Sequence, residues 1–443
     1  MTKIKIKKDT LLIFLSIIFY KIILDISYYF VVSRAWDYAG YGIQALWDYV
    51  GYNFIFNNVK IFESYFLLLI VLIFVPKSSK KLSNIITWLL VLFAYIPMLT
   101  IYAMKDGARL YILAITCFWL IVFLLLKFLP NIHLPFLKKT QAKTIHYAIF
   151  IIFSGMAIIS ILKYFGLVFN LNLKTIYETR TLFYANLRGP AIEYLFNWLA
   201  LVVNPVFLFI FFKKKKWLLS VLSLAIQILI FSATGNKIYL FAIPYIVFVA
   251  LLVNRRRPFV CASLVLSIVV GVGILSYFLL GDVWLTALFT HRTLFTPALL
   301  SFHYYDFFSQ NNFIYLSSQR IFRNFINYPY DLDPPHLIST TYFNRPQMSS
   351  NNGIFADAYM NFGFWGLIIW AILLAIFLKA IDSFSRNKDK QICLVAIGIS
   401  VMLFTNMPFL TSLITGGLLL GLIILYLLPP LNNQSTNIRQ PYN

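Results

Sequence analysis

Residues 259–280 read FVCASLVLSIVVGVGILSYFLL, without a single charged side chain. An α-helix needs about 20 predominantly apolar residues to cross the hydrocarbon core of a bilayer, so this stretch predicts a membrane-spanning helix. The basic residues 255–257 stand directly before it, and basic residues beside a span favour the cytoplasmic face. Residues 281–361 follow it, and there the long hydrophobic runs stop and charged side chains return.

The rest of the chain has the same character. Of its 443 residues 60% are hydrophobic and only 12% are charged, whereas a soluble domain is about a quarter charged. We therefore predict an all-α polytopic integral membrane protein. The net charge of +22 does not indicate nucleic acid as a partner, because the basic residues cluster beside hydrophobic runs, where they orient helices and contact anionic lipid. Cys117, Cys261 and Cys393 lie inside apolar runs and indicate neither disulfides nor a metal cluster.

The hydrophobic runs predict about twelve spans. They are residues 11–32, 61–75, 82–104, 110–129, 145–169, 191–212, 217–233, 238–253, 259–280, 362–380, 392–408 and 413–428. This divides the chain into residues 1–280 with nine spans and an outer loop at 170–190, residues 281–361 as a large extracytoplasmic loop between spans nine and ten, and residues 362–443 with three spans and a cytoplasmic tail.

The basic clusters predict the orientation of these spans. The clusters lie at residues 3–8, 77–81, 127–143, 213–216, 255–257 and 386–390. Each follows an even number of predicted crossings, so the positive-inside rule places all of them, and both termini, in the cytoplasm. The odd-numbered connections then face outward, and the large loop is one of them.

Cations on the predicted outer side oppose this rule and need a local reason: Arg180, Arg188, Lys237, Arg292, Arg320, Arg323 and Arg345. Five of them are the candidates for a ligand site. Arg180 and Arg188 lie eight residues apart in one outer loop, Lys237 follows a tight polar turn, and Arg292 and Arg345 lie in the large loop. Arginine forks match phosphate oxygens, and the first turn of a helix favours an anion. We predict that these five side chains bind a phosphate or pyrophosphate. Contact with lipid headgroups, or a snorkelling lysine at position 237, is the alternative.

Three side chains near these cations are candidates for proton transfer. His291 and His303 could act as general bases because histidine titrates near neutral pH, although a histidine in such a place is more often a hydrogen-bonding residue. Asp357 lies where the chain re-enters the membrane and could take a proton, or could cap the incoming helix.

A fourth feature of the loop is the sequence Asp331-Leu332-Asp333-Pro334-Pro335-His336. Two carboxylates near a histidine could hold a divalent metal, but the adjacent prolines favour a rigid turn. We assign no metal site.

Several of these residues belong to stretches that resemble a known family. They are HRTLFTPA at 291–298, YYDFF at 304–308, and Asn352, Gly353, Asp357, Asn361, Gly363 and Gly366. In this order they resemble the Wzy-type polymerases, which join oligosaccharide repeat units in the assembly of O-antigen, capsule and exopolysaccharide. The plan of the chain, with ten to fourteen spans and a large late outer loop, is also similar to that family.

The resemblance implies a GT-C-like glycosyltransferase of the bacterial plasma (inner) membrane. Donor and acceptor would both be repeat units on undecaprenyl pyrophosphate, and a sugar hydroxyl of the acceptor would displace the pyrophosphate of the donor. Fixed cations could stabilise that leaving group, so no metal or other cofactor is expected. Asp357 becomes the first choice for the base, ahead of His291. A flippase and a chain-length regulator are implied as partners.

Two other functions remain open. A flippase or transporter of lipid-linked oligosaccharide would explain the intramembrane Lys21 and Asp25, which are four residues apart and could equally form a structural ion pair. A transferase like the O-antigen ligases is the other, although those enzymes have a His-Asn pair where this chain has Asn351 and Asn352. The chain has no nucleotide-binding motif.

Overall fold

The computed structural model describes residues 8–34, 52–130, 139–165, 170, 176–187, 189–319 and 322–429. Within these ranges all regular structure is helical and no strand is present. Arg188, most of the predicted outer segment at residues 33–60 and the tail beyond residue 429 lie outside the described residues.

The first part of the chain forms helices α1 to α8. They are α1 (Lys8–Val32), α2 (Asn58–Phe74), α3 (Leu82–Met104), α4 (Arg109–Phe128), α5 (Tyr147–Phe165), α6 (Ile176–Asn186), α7 (Pro190–Lys213) and α8 (Trp217–Thr234). The second part forms helices α9 to α16. They are α9 (Lys237–Leu252), α10 (Pro258–Leu280), α11 (Thr286–Phe295), α12 (Thr296–Gln310), α13 (Pro334–Phe343), α14 (Ile354–Phe384), α15 (Lys390–Thr405) and α16 (Phe409–Leu427).

Nine helices in the described part of the chain are long and apolar enough to cross a membrane, so the chain is a polytopic helical membrane protein. They are α1, α3, α4, α5, α7, α8, α10, α14 and α16. The other three predicted spans correspond to shorter helices, namely α2 with 17 residues, α9 with 16 residues, and α15. A helix of about 17 residues is about 25 Å long, at the lower limit for a span. The total of twelve stays a prediction.

The chain forms two compact units that cut across the linear division predicted from the sequence. The first unit combines residues 1–129, 255–378 and 402–409, and the second combines residues 130–254, 379–401 and 410–443. Most of the predicted outer loop is helical, and this segment belongs to the first unit together with α1 to α4 and α10. The residues of the predicted outer loop thus belong to the same compact unit as these helices.

Helix α3 lies at the centre of the first unit, where it contacts α1, α2, α11 and α12. Its sequence carries no charge, which suits a helix surrounded by others on all sides. An ion pair inside the unit joins the same helices. Lys21 Nζ lies 2.6 Å from Asp25 Oδ1, and the carboxylate also accepts hydrogen bonds from Tyr65 at 2.7 Å and Thr100 at 2.8 Å. The pair thus links α1 to α2 and α3.

A neutral polar network holds the centre of the second unit. The amide of Asn204 in α7 donates to Gln227 Oε1 in α8 at 2.7 Å. Gln227 Nε2 then donates to the backbone oxygen of Tyr239 in α9 at 2.8 Å. Buried amides that satisfy one another in this way fix the register of neighbouring helices.

The connections of the first unit gather at two opposite ends. At one end Asn57 donates to Asp106 at 2.9 Å, which brings the connection before α2 to the one after α3. The start of α12 lies at this end too, because Tyr52 donates to Thr296 at 3.0 Å. At the other end Arg257 pairs with Asp9 at 2.7 Å. Odd-numbered and even-numbered connections are thus separated.

The second unit shows the same separation. The backbone N–H of Asn170 donates to Ser232 at 2.7 Å, so the connections before α6 and after α8 meet. At the opposite end Lys213, at the end of α7, pairs with Asp389 at 2.5 Å. Gln391 donates to the backbone oxygen of Ala250 at 3.0 Å and adds the end of α9 to this group.

Candidate functional site

The side chains proposed from the sequence fall into two groups, one in each unit. Asp357, His291, Arg292 and Arg345 belong to the first unit, and Arg180 and Lys237 belong to the second. Arg188 lies outside the described residues. That cations of both groups hold one pyrophosphate stays a prediction.

Asp357 is a buried hydrogen-bond acceptor at the start of α14, with 1% of its surface exposed. Its Oδ2 accepts from Trp370 Nε1 and from the backbone N–H of Phe409, both at 2.8 Å. Its Oδ1 accepts from Asn361 Nδ2 at 3.2 Å. The carboxylate therefore ties together the first turns of α14, a later turn of the same helix and the N-terminus of α16. Its bond from Phe409 N caps the N-terminus of α16, whereas the alternative role considered for this residue was to cap the incoming helix α14.

A break in α14 explains how Trp370 reaches back to Asp357. The helix is interrupted at Phe362 and Gly363, and Gly363 has φ +60° and ψ −138°. Only glycine adopts this region readily. Beyond the break the chain passes very close to the first turns, since a Cβ on Gly366 would lie 1.9 Å from Ala358 O. The sequence analysis placed the start of this span at residue 362, whereas α14 begins at Ile354.

His291 lies fully buried in α11, a ten-residue π-helix. Its ring lies 4.6 Å from the ring of Tyr52, measured between centroids. Burial, and to a smaller extent the neighbouring Arg292, lowers the pKa of this imidazole to about 3. A histidine with so low a pKa is neutral at physiological pH and is a weak base.

The two cations of the first unit differ in exposure. Arg292 is half-buried beside His291, whereas Arg345 is exposed. Arg345 follows Asn344, whose left-handed backbone ends α13. π-helical segments are frequent at functional sites, and Arg292 is the cation that α11 supplies.

The structure also brings together a cluster that the sequence analysis did not recognise. Tyr342 in α13 donates to Asp306 Oδ2 in α12 at 2.6 Å, and its ring lies 4.3 Å from the ring of His303. Lys105, at the end of α3, interacts electrostatically with both Asp306 and His303. His303 and Asp306 are one turn apart in the sequence, but no local signal connects them with Lys105 or Tyr342.

Asp333 and His336 make a local contact at the start of α13. His336 Nδ1 lies 2.5 Å from Asp333 Oδ1, and Asp333 is the N-cap residue of the helix. Within the described ranges no group of three or more histidine, cysteine and acidic side chains could hold a metal ion.

In the second unit the hairpin that contains Lys237 packs against α6, which carries Arg180. Gly235 adopts a left-handed conformation with φ +64°, and a Cβ there would lie 2.8 Å from the backbone nitrogen of Arg180. Lys237 begins α9 and is half-buried, whereas Arg180 is exposed. In the sequence Lys237 and Arg180 are separate outer features, and the structure brings the segments that carry them into contact.

An acidic residue that the sequence analysis did not consider accompanies Arg180. Glu193, in the first turn of α7, interacts electrostatically with the guanidinium group. The Arg180 guanidinium also lies 5.7 Å from the centre of the Tyr184 ring. A ligand anion would therefore approach a cation that already has a carboxylate nearby, so Arg180 alone is a weaker anion site than its charge indicates.

The fold and these side chains define a polytopic helical membrane protein with polar clusters at one end of each unit. Comparisons of the chain with known protein families, with curated proteins and with solved structures found no match.

Proposed function

We propose that this chain is a GT-C-like glycosyltransferase that polymerises undecaprenyl-pyrophosphate-linked oligosaccharide repeat units into surface polysaccharide. It would act at the outer face of a bacterial plasma membrane, with a flippase supplying its substrate and a chain-length regulator acting beside it. The proposal rests on the resemblance to the Wzy-type polymerases, and one structural observation supports it.

That observation is the packing of the separate stretches on which the resemblance depends. Tyr304 donates to the backbone oxygen of Ser350 at 2.9 Å, and the rings of Tyr305 and Tyr359 are 4.8 Å apart. The segment after α12 reaches Asn361, whose side-chain oxygen accepts from Leu316 N at 2.6 Å. Stretches that are far apart in the sequence thus build one structure, as motifs of a common site would.

A cavity lies where these stretches meet. It is lined by Met98 of α3, Leu294 and Pro297 of α11 and α12, Gly353, and Phe404 of α15. The lining is largely apolar. The cavity, of about 20 Å³, has room for about one water molecule, so these stretches pack closely against one another.

The separation of the connections at two ends supports a topology of twelve crossings. In the first unit the connections before α2 and after α3 meet, and in the second unit the connections before α6 and after α8 meet at the end opposite to those after α7 and α9. This alternation requires the short helices α2 and α9 to pass from one end to the other. We propose that both termini are cytoplasmic, on the distribution of basic clusters.

In the proposed reaction the cations stabilise the departing pyrophosphate. The cations proposed for this from the sequence are Arg180, Arg188, Lys237, Arg292 and Arg345. Each fixed cation is worth about 10²–10³ in rate when it is aimed at developing charge. A lipid pyrophosphate is a good leaving group, and we propose that cations suffice for it.

The acceptor hydroxyl also needs a proton acceptor within hydrogen-bond reach. Both candidates from the sequence are buried. Asp357 is occupied by three donors, and the low pKa of His291 makes it a weak base. Both are better suited to holding the site together than to taking the proton, and we propose that they are positioning residues.

Deletion of the gene in its host, followed by gel analysis of surface polysaccharide, tests the function. We expect the polymer to disappear and single repeat units on the lipid carrier to accumulate at the outer face. The wild-type gene should restore the polymer, while Arg180→Ala and Arg292→Ala should shorten it or reduce its amount. Lys214→Ala, an exposed cation of the opposite end, is the matched control and should behave like wild type.

The alternative functions predict other results. Loss of a flippase would leave the repeat units at the inner face. Loss of a ligase-like transferase would leave a full-length polymer that is not attached to its final acceptor. The feature that favoured a transporter has a structural explanation, because the Lys21–Asp25 pair is buried and satisfied by Tyr65 and Thr100. Unchanged polymer after deletion would exclude the polymerase.

A further inference from the structure

Asp306 differs from three other carboxylates at the same end of the first unit. Asp106 pairs with Lys60 at 2.8 Å, and Glu63 pairs with Arg109 at 3.0 Å. Asp357 is buried. Asp306, by contrast, is exposed, and its Oδ2 accepts a hydrogen bond from the hydroxyl of Tyr342 at 2.6 Å. Its carboxylate is held in one orientation and still accessible to a substrate.

A cation and aromatic rings surround Asp306. Lys105 is half-buried nearby; burial lowers the pKa of its ammonium group, and the charge of Asp306 raises it. Beside the carboxylate the ring of Tyr305 stacks on Tyr111, with centroids 4.6 Å apart. A carboxylate next to an aromatic face can bind a hydroxyl while the ring contacts the apolar face of the same sugar.

His303 adds a second observation at this place. Its Nε2 atom is buried and neither accepts nor donates a hydrogen bond within the described part of the chain. Burial, with a smaller contribution from Lys105, lowers the pKa of the ring to about 3, so the imidazole is neutral. The ring packs against Tyr342 at a tilted angle, with centroids 4.3 Å apart, and helps to hold the side chain whose hydroxyl donates to Asp306.

We propose that Asp306 is the general base of the transfer and binds the attacking hydroxyl of the acceptor sugar. This inference rests on the proposed polymerase function and deepens it. The acceptor oxygen forms a bond to the anomeric carbon of the donor, and the bond from that carbon to the pyrophosphate oxygen breaks. The pyrophosphate leaves with the electron pair, and the hydroxyl proton moves to Asp306. Carboxylates have this role in enzymes that transfer sugars to water.

Three variants test the assignment in a host in which the wild-type gene restores polymer to a deletion strain. Asp306→Asn should reduce polymer about 100-fold or more, the lower range for loss of a general base, with single repeat units accumulating at the outer face. Asp306→Glu keeps a carboxylate and should retain part of the activity. Asp331→Asn alters another exposed carboxylate of the same segment and should behave like wild type.

The amount of each variant in the membrane and its midpoint of thermal denaturation are measured in parallel. Polymer at the wild-type level in Asp306→Asn would overturn the assignment, and so would an Asp306→Glu variant as inactive as Asp306→Asn while both are folded. If the Asp306→Asn protein is not present in the membrane, the Asp306→Glu variant decides: a folded variant that retains part of the activity supports the assignment, and a folded variant without activity overturns it. If the wild-type gene itself restores no polymer, the proposed function fails and the assignment fails with it.

Discussion

The indole N–H of Trp370 donates a hydrogen bond to Asp357 Oδ2 at 2.8 Å across the break in α14. The two residues lie on either side of Gly363, in a helix whose two parts pack closely at Ala358 and Gly366. The same oxygen accepts from the backbone N–H of Phe409. This carboxylate thus connects three segments, and its loss should affect the stability of the first unit.

Removal of the indole donor should destabilise the protein. In Trp370→Phe the buried carboxylate loses one hydrogen bond, at a cost of about 1–3 kcal/mol, because a buried charge loses part of its compensation. The midpoint of thermal denaturation in detergent should fall. Trp365→Phe changes an exposed tryptophan of the same helix and serves as the control. Equal midpoints in the two variants would show that the hydrogen bond contributes nothing.

Substitution of the carboxylate separates its two possible roles. Asp357→Asn keeps the size of the side chain but turns one acceptor into an N–H group facing other donors. We expect a lower denaturation midpoint, by about 1–3 kcal/mol in unfolding free energy, together with a loss of polymer in proportion to the loss of folded protein. A variant with wild-type stability and no activity would instead make Asp357 the base.

The Lys21–Asp25 pair should be costly to break and less costly to replace as a whole. Lys21→Met leaves a buried carboxylate without its cation, which costs about 3–5 kcal/mol. The double variant Lys21→Met with Asp25→Leu should recover part of this, although Tyr65 and Thr100 then lose their acceptor. The free energy of unfolding in detergent is measured for the single and the double variant. Lys77→Met, at an exposed position, is the control. A double variant that is no more stable than Lys21→Met would contradict this prediction.

The buried histidines should make the protein less stable in acid. The pKa of His303 is about 3 in the folded chain, below the value of about 6.5 for an unfolded histidine. As the pH falls below 6.5 the unfolded state takes up a proton that the folded state does not, so stability decreases. The loss reaches about 2 kcal/mol at pH 5 for one such group.

His303→Gln removes this titration. Between pH 7 and pH 5 its denaturation midpoint should therefore fall less than that of the wild type. If the denaturation midpoints of the two proteins fall equally with pH, His303 takes up its proton equally well in the folded and the unfolded state.

The sequence predicted the positions of the apolar helices well, because each span needs a long hydrophobic run. It did not predict the break in α14, since Phe362 and Gly363 lie within a continuous apolar pattern and the break depends on the approach of Ala358 and Gly366. The hydrogen-bond partners of Asp357 could not be predicted from the sequence either, because Phe409 lies far away in the chain. Contacts of this kind depend on tertiary packing, which hydrophobic periodicity does not encode.

The candidate site shows the same limit. The cations and Asp357 were selected by residue type and predicted side of the membrane, and both features can be read from a sequence. The cluster around Asp306 is assembled from α3, α12 and α13, so its members have no fixed spacing. The partial exception is the hairpin of Lys237, whose polar turn marked it as a candidate before the structure showed it beside the backbone of Arg180.

Chemical labelling tests the proposed crossings and their orientation. Ser309→Cys at the end of α12 and Lys215→Cys between α7 and α8 are exposed positions, placed in a chain whose Cys117, Cys261 and Cys393 are replaced by alanine. A membrane-impermeant maleimide should label position 309 in intact cells and position 215 only after permeabilisation. The two positions are separated by α8, α9 and α10, so they lie on opposite sides only if the 16-residue α9 crosses as well. If the maleimide labels both positions in intact cells, α9 does not span the membrane. If it labels position 215 in intact cells and position 309 only after permeabilisation, the orientation is opposite to the one proposed.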